Sequence, residues 1–461
     1  MEKKKVVLIN PGLDNKWASP HPPLNLGYIA SYLEANGIEA RIVDELAGQD
    51  VSKELQRLRP DIVGITATTP LALDAYRVAN ITRKMGILTV MGGTHASIMT
   101  EEALNNVDIV VIGEGERAML DIVKGEKSRI VKAPYFKNLD ELPEPAWHLM
   151  DMEFYLTCQK RIPVNHLRLF PSEKRIAALI TTRGCSYACI FCYNSWRDTP
   201  IRFHSAERIF STIRCLMERY SADTFFFIDD DLMFNKNRFK RLCNLIIENG
   251  LSLLWGCQSS ANTIDKEILQ LAKKAGCFQV NFGFESGSQR ILNILKKGKF
   301  TIEKNARAVK LCKEAGLRSW ATFMVGNPTE TIDDIKATFN FIKNNHIDGV
   351  GIHITTPFPG TELWNWCKEH NLIPEKIDWS IFNTSQVSLP ACDTIPPELI
   401  QKLRDKIQFY FYPLKLSDIS DKKRLLLKAI LHPFKAIKKL RYFLNIFMDR
   451  AKKELGIEVI K

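Results

Sequence analysis

The sequence has no apolar run near the roughly 20 residues that a membrane-spanning helix needs, so no span is expected. It has no low-complexity segment and no short-period repeat, which excludes collagen-like, solenoid and disordered chains. The start, MEKKKVVLIN, is basic, but its apolar run ends at Asn10-Pro11-Gly12 without a small-residue cleavage site. A secretory signal is therefore not expected, and the cytoplasm is the expected location. Cysteine is almost missing ahead of residue 185, where only Cys158 occurs. Eleven cysteines in a cytoplasmic chain point to metal or redox chemistry more than to structural disulfides.

What is present suits a multidomain globular protein. The 461 residues are 45% apolar and 25% charged, enough for about two to four domains with cores of their own. The net charge of +12 is unevenly placed. Thirteen basic and five acidic residues lie between Lys415 and Lys461, a net of +8, which leaves +4 on the preceding 414 residues. A nearly balanced body offers no electrostatic case for a nucleic-acid partner.

Short apolar runs alternate with helical patterns over the first part of the chain, as in a parallel sheet flanked by helices. Strands are expected at Val6–Asn10, Ala40–Val43, Ile62–Thr66, Leu88–Met91 and Asp108–Ile112. They run into Asn10-Pro11-Gly12, Thr66-Ala67-Thr68-Thr69, Gly92-Gly93-Thr94 and Gly113-Glu114-Gly115. Loops of this kind at strand carboxyl ends let a ligand approach the backbone. A Pro-rich acidic stretch, Asn138 to Pro145, reads as linker, and from Arg175 a second alternation begins. Its strands are expected at Ile176–Thr181, Thr224–Ile228, Leu253–Trp255, Phe278–Phe284, Ser319–Val325 and Val350–Thr355. Six strand–helix repeats suit a barrel or partial barrel with chemistry at the strand carboxyl ends. The fold class is thus α/β. A Rossmann-like domain covers 1–130, a linker 131–174, a partial barrel 175–370 and a helical C-terminal region 371–461.

Behind the first barrel strand, Gly184 leads into Cys185-Ser186-Tyr187-Ala188-Cys189-Ile190-Phe191-Cys192, a CxxxCxxC pattern. Three thiolates this close can hold three irons of a 4Fe–4S cluster and leave the fourth open. Zinc competes, but it usually takes paired CxxC knuckles, and no second pair lies nearby. His204 is a poorly spaced fourth ligand, and three core cysteines are the bland alternative.

This loop resembles the cluster loop of the radical S-adenosylmethionine superfamily, including Phe191 before the third cysteine. Four further segments fall in family order: Phe227-Ile228-Asp229-Asp230, Gly283-Phe284-Glu285-Ser286-Gly287 with Lys297-Gly298, Phe323 to Pro328, and Thr356 to Thr361. With the N-terminal unit, residues from about 5 to 370 resemble the cobalamin-binding radical enzymes, among them class B methyltransferases and the anaerobic porphyrin ring cyclase.

The resemblance implies a set of roles. Cys185, Cys189 and Cys192 would hold the cluster, and its open iron would take S-adenosylmethionine. One electron from a flavodoxin or ferredoxin would cleave the sulfonium to a 5′-deoxyadenosyl radical or prime methyl transfer. Asp229, Asp230, Glu285, Ser286 and Tyr193 would contact S-adenosylmethionine, the carboxylates through its ammonium or ribose. Helix capping is the alternative for the aspartates and a core ring for Tyr193. Cobalamin would lie against Asn10, Thr66, Thr68, Gly92, Gly93, His95, Gly113 and Glu114. No Asp-x-His-x-x-Gly motif stands in the N-terminal unit, so a histidine ligand to cobalt is not expected. His95 either lines the nucleotide pocket or caps a helix. Leu232 and Thr329 depart from the family pattern, at positions that shape the substrate pocket.

The implied activity is methylation of an unactivated carbon or phosphorus centre of a small molecule or lipid. Radical ring formation is the runner-up, and a non-catalytic corrinoid or iron–sulfur carrier is the alternative from another class. A methylthiotransferase would need three more cysteines ahead of the cluster. In the tail, Pro433 suits a first helical turn. Ile437, Leu440, Phe443, Leu444, Phe447 and Met448 would then share one arc, opposite Lys435, Lys438 and Lys439. Such a helix either touches an anionic membrane or packs on the barrel.

Overall fold

The computed structural model describes residues 4–12, 21–158, 173–193, 199–382 and 384–411. The proposed tail helix lies outside the described residues.

Strands β1 (Lys5–Asn10), β2 (Glu39–Asp44), β3 (Ile62–Thr66), β4 (Leu88–Gly92), β5 (Ile109–Val111) and β6 (Ile130–Val131) form one sheet in the order β2-β1-β3-β4-β5-β6. All neighbours are parallel. The apolar run of β1 explains its central place. Val6 and Leu8 bury into one layer of the core and Val7 and Ile9 into the other, so both faces are covered by helices. The order reverses between β1 and β3, and such a switch point leaves a crevice at the strand carboxyl ends.

The second sheet begins with β7 (Ile176–Leu179). A short antiparallel pair follows, β8 (Thr182–Arg183) with β9 (Arg202–Phe203). Then come β10 (Thr224–Phe227), β11 (Leu254–Gln258), β12 (Cys277–Glu285), β13 (Arg318–Val325) and β14 (Gly349–Ile354). They pair in sequence order from β7 and β10 through to β14, all parallel. This is the expected partial barrel, with outward residues such as Phe225, Phe227, Val280, Phe282, Phe323 and Ile352 packed beneath its helices.

The free edge of β14 is covered by a helix, Pro397–Phe411. Gln408 Oε1 accepts from the Ile352 N–H at 3.0 Å and Arg404 Nε donates to the Ile352 carbonyl at 2.9 Å. Ile354 N–H reaches the Thr384 carbonyl at 2.8 Å.

Two stretches differ from expectation. The segment read as linker is packed: Phe136, Leu139, Leu142, Trp147, Tyr155 and Leu156 are buried, and Tyr155 donates to Asp44 at 2.5 Å. Prolines mask this in the sequence because the segment is irregular while still carrying core residues. The region after residue 370, expected to be helical, holds only a 3-10 turn at Trp379–Ile381 before the helix at Pro397. Pro374, Pro390 and Pro396 break helical backbone there, and Trp379, Phe382 and Leu389 pack with Trp364 against Ala72 instead. Among the described residues no helix is long and apolar enough to cross a membrane.

Candidate active site

A cavity of about 350 Å³ lies where the carboxyl ends of the two sheets meet. Thr66, Gly92, Gly93 and the turn Gly113–Glu116 form one wall; Thr182–Gly184 and Ile228–Asp230 form the other. Its first wall is made by omitting side chains. A Cβ on Gly64 would stand 2.8 Å from Leu8 Cδ2, and one on Gly115 would stand 2.6 Å from Ile29 Cδ1. Gly93 has φ +94°, and a Cβ there would lie 2.7 Å from the Ala67 carbonyl oxygen. Thr66 Oγ1 accepts from Asn25 Nδ2 at 2.8 Å, so both polar groups are held at the rim.

Of the eight residues expected to face cobalamin, Thr66, Gly92, Gly93, Gly113 and Glu114 line this cavity, and the others do not. Asn10 is buried and donates from Nδ2 to Asp44 at 2.9 Å. Thr68 is exposed at the start of a 3-10 turn. His95 is fully buried away from the cavity. Its Nε2 meets Tyr76 Oη at 3.1 Å, its Nδ1 meets Thr69 Oγ1 at 3.3 Å, and its ring packs edge-on to Trp379 at 4.9 Å. Burial lowers its pKa. The apolar contact with Trp379, more than 280 positions on, is what draws it from the ligand side.

The cysteine loop is anchored at three places. Ile190 N–H donates to the Leu295 carbonyl at 3.0 Å and the Ile190 carbonyl accepts from Leu363 N–H at 2.8 Å. Tyr187 packs on Phe300 at 4.7 Å, with its hydroxyl 3.2 Å from Ser260 Oγ. Phe191 joins the apolar cluster of Leu363, Cys367 and Ala391. Cys185 and Cys189 are half-buried and Cys192 is exposed. Burial pushes the Cys185 thiol up to about 11, with Asp230 and Cys189 adding to it. No three His, Cys, Asp or Glu among the described residues gather around one metal ion. His204 is no ligand here: its Nδ1 lies 3.1 Å from Asp140 and its Nε2 3.3 Å from Tyr28 Oη.

After β10, three successive aspartates point three ways. Asp229 is buried; it accepts from Thr181 N–H at 2.7 Å, Thr181 Oγ1 at 3.0 Å and Thr182 Oγ1 at 2.8 Å. Burial raises its pKa, opposed by Arg238. Its carboxylate is spent on the stem of the cysteine loop. Asp231 accepts from Ser259 Oγ at 2.7 Å and Thr263 Oγ1 at 3.0 Å. Asp229 and Asp230 both line the cavity, but only Asp230 has no hydrogen bond to a described residue. Burial and then Asp229 and Asp231 raise its pKa, which is the environment of a carboxylate that lacks a cation.

Glu285 sits at φ +66° beside an irregularity in the β12–β13 ladder, its Oε1 3.4 Å from Lys296 Nζ. Lys296 also donates to the Gly283 carbonyl at 2.5 Å. Ser286 is fully buried, its hydroxyl 3.3 Å from Thr338 Oγ1 and accepting from Ser288 N–H at 3.1 Å. That hydroxyl is committed behind the strand end. The Tyr193 ring lies against Gly360, where a Cβ would be 3.1 Å from Tyr193 Cδ2.

Three residues that local reading missed, Glu116, Arg183 and Arg202, form a four-charge clasp with Glu114 at the cavity wall. Arg183 contacts Glu114 at 3.0 Å and Glu116 at 2.6 Å, and Arg202 contacts Glu114 at 2.8 Å. Arg183 and Arg202 stand opposite each other in β8–β9, an unfavourable pairing without the two carboxylates. Burial alone would lower Arg183, but Glu116 and Glu114 hold it above the usual arginine range. Glu114 therefore lines the cavity with its charge already answered. A Glu-x-Glu following a β-strand and an Arg before a Gly-Cys are visible in the sequence, but nothing local links positions 67 residues apart.

The donor sets suit three bound groups. The cysteine loop presents three thiols, Asp230 presents one carboxylate without a partner, and the glycine wall leaves backbone-lined room for a bulky ligand. No histidine occurs among the described residues that line the cavity. The comparisons agree with this arrangement. Residues 179–342 match the radical SAM superfamily model and residues 12–123 the B12 binding domain model. An anaerobic magnesium-protoporphyrin IX monomethyl ester cyclase of Rubrivivax gelatinosus is 29% identical over 399 residues, covering 78% of this chain and 69% of its own. The solved structure of the cobalamin-dependent S-adenosylmethionine radical enzyme OxsB, with aqua-cobalamin and S-adenosylmethionine bound, superposes with a TM-score of 0.71 at 16% identity. It covers 99% of this chain and 76% of that one. An uncharacterized methyltransferase of Pyrococcus horikoshii is 31% identical over 445 residues, covering 89% of this chain and 93% of its own. On that relative and the two matched models, the chain belongs to the cobalamin-binding radical S-adenosylmethionine enzymes.

Proposed function

We propose that the enzyme methylates an unactivated carbon or phosphorus centre of a small molecule or lipid in the cytoplasm, reduced by a flavodoxin or ferredoxin. The observation that carries the reading is the single cavity bounded by the glycine-rich ends of β3 to β5 and by Gly184 and Asp230. When bound, the cluster with S-adenosylmethionine supplies one-electron radical chemistry and the cobalamin supplies a methyl carrier. Cys185, Cys189 and Cys192 would hold the cluster, next to the cavity-lining Gly184. Asp230 accepts the methionine ammonium, an opposite charge that favours its ionised form. Asp229 and Arg238 fix the Thr181–Thr182 stem, and so aim the loop. The glycine wall excludes water from the space between the two modules once it is filled.

The test is anaerobic incubation of reconstituted enzyme with hydroxocobalamin, S-adenosylmethionine and reductant. Methyl transfer leaves S-adenosylhomocysteine, and reductive cleavage leaves 5′-deoxyadenosine; both are expected together. The similarity to the cyclase supports ring formation as a second reading, which would give 5′-deoxyadenosine without S-adenosylhomocysteine. Neither product would remove both readings. The basic segment 415–461 supports a peripheral contact with an anionic membrane. Flotation on anionic liposomes should then fall when it is deleted.

A further inference from the structure

The clasp of Arg183 with Glu114 and Glu116 joins the two halves of the site at their most sensitive points. Glu114 and Glu116 flank Gly115, in the turn that walls the cavity. Arg183 is two residues ahead of Cys185, and its side chain both lines the cavity and stands 5.3 Å from the Tyr28 ring, another lining residue. The side chains of Glu114, Glu116 and Arg183 are 4%, 3% and 14% exposed, so water does little to screen them. Side chains on both sides are also held in place. Thr182, next to Arg183, is held by Asp229 at 2.8 Å, and Glu114 accepts from Phe136 N–H at 3.1 Å. A displacement of the Arg183 guanidinium must therefore move the cavity wall, the cysteine loop, or both.

We propose that Arg183, Glu114 and Glu116 are positioning residues that couple occupancy of the cavity to occupancy of the cysteine loop. The inference rests on the assignment of cobalamin to the cavity and of the cluster to the three cysteines. Loading the cluster tightens the Cys185–Cys192 loop and with it Arg183. The pinned guanidinium then holds the Gly113–Glu116 turn in its binding position, so less ordering remains when cobalamin enters. Linkage requires the reverse effect to be equal.

The experiment measures hydroxocobalamin affinity by spectral titration, on full-length protein with and without its cluster. It is done for wild type, Glu116→Gln and Arg183→Lys, with circular dichroism and melting curves to establish folding. Wild type should bind about five-fold or more tightly when the cluster is present. In either folded variant that ratio should fall towards one, while hydroxocobalamin still binds and four irons per chain are retained. Electron paramagnetic resonance of the reduced cluster gives the reciprocal readout, with a spectral shift on hydroxocobalamin addition in wild type and a smaller one in the variants. A wild-type ratio of one with both groups bound, or an unchanged ratio in a folded variant, overturns the coupling. If wild type binds no hydroxocobalamin at all, the cavity assignment fails first and the coupling falls with it. Arg183→Lys keeps the charge and loses the fork, so it serves if Glu116→Gln does not fold.

Discussion

The carboxyl ends of the two sheets meet at one cavity and shape it by opposite means. On the N-terminal side, Gly64, Gly93 and Gly115 stand where a Cβ would collide with Leu8, Ala67 or Ile29, so the wall is backbone at those points, between side chains such as Val90, Val111 and Met119. On the barrel side, the strand ends carry Asp229, Asp231, Glu285 and Glu330, each tied down by hydroxyls, amides or a lysine. One side admits a large ligand by leaving side chains out. The other fixes its loops by burying carboxylates and supplying their hydrogen bonds. Asp230 is the exception that marks the working surface, a barrel carboxylate left open to the cavity.

The largest effect expected is on the barrel side. Cys189→Ala should lose the cluster and with it all cleavage of S-adenosylmethionine, while hydroxocobalamin remains bound, though more weakly. Iron analysis should fall from about four per chain, and retention of full iron content would remove the loop from the assignment. On the bare side, Gly93→Val combines a left-handed backbone with a clash on Ala67. A cost of about 4 kcal/mol in stability is expected from strain and overpacking together, along with loss of hydroxocobalamin binding. Wild-type melting behaviour and binding would show that the wall has room to spare.

The pH dependence should separate the regions as well. Glu330 is fully buried and its pKa is pushed up to about 7 by burial, against hydrogen bonds from Asn327 and Gly326. A carboxyl raised in the folded state stabilises the fold below its unfolded pKa near 4.5 and loses that contribution as pH rises through about 7. His204, beside Asp140 of the packed segment between the two sheets, is lowered to about 4 by burial despite that carboxylate. Its contribution holds above 6.5 and is lost as pH falls towards 4. Each is worth up to about 3 kcal/mol across its range. Chemical denaturation from pH 4 to 8 should show Glu330→Gln flattening the alkaline limb and His204→Asn the acidic one. Parallel profiles for either variant and wild type would contradict the assignment. At the small end, Lys297 and Glu362 form an exposed pair near the cysteine loop. Lys297→Ala should change stability by roughly 0–0.5 kcal/mol, and a larger, salt-insensitive loss would give that surface a part in holding the loop.

The sequence made the longer strands legible, because runs such as Val6–Ile9 are buried on both faces. The two-residue strands β6, β8 and β9 were not expected, being too short to show an apolar run. The cysteine loop was legible because its ligands are near neighbours in the chain. The misplacement of His95 has a different cause. Its Gly-Thr-His context favours a ligand loop, and only the arrival of Trp379 from a distant segment makes it a core residue. The clasp of Arg183 with Glu114 and Glu116 follows the same logic: its energy comes from charges brought together by the tertiary fold. Asp229 and Asp230 were legible as a pair. Which of them is open to ligand depended on Thr181 and Thr182, whose hydroxyls capture only the first.

The helix Pro397–Phe411 has a bearing on handling the protein. By occupying the Ile352 N–H and carbonyl through Gln408 and Arg404, it shields the last strand of the open barrel. A chain cut at residue 396, a tempting boundary because the barrel motifs end before it, would uncover that strand edge together with the apolar surface that Ile400 and Ile407 cover. Exposed parallel edges recruit strands from other molecules, so the shortened protein should accumulate in inclusion bodies, whereas one ending after residue 411 should keep its barrel monodisperse.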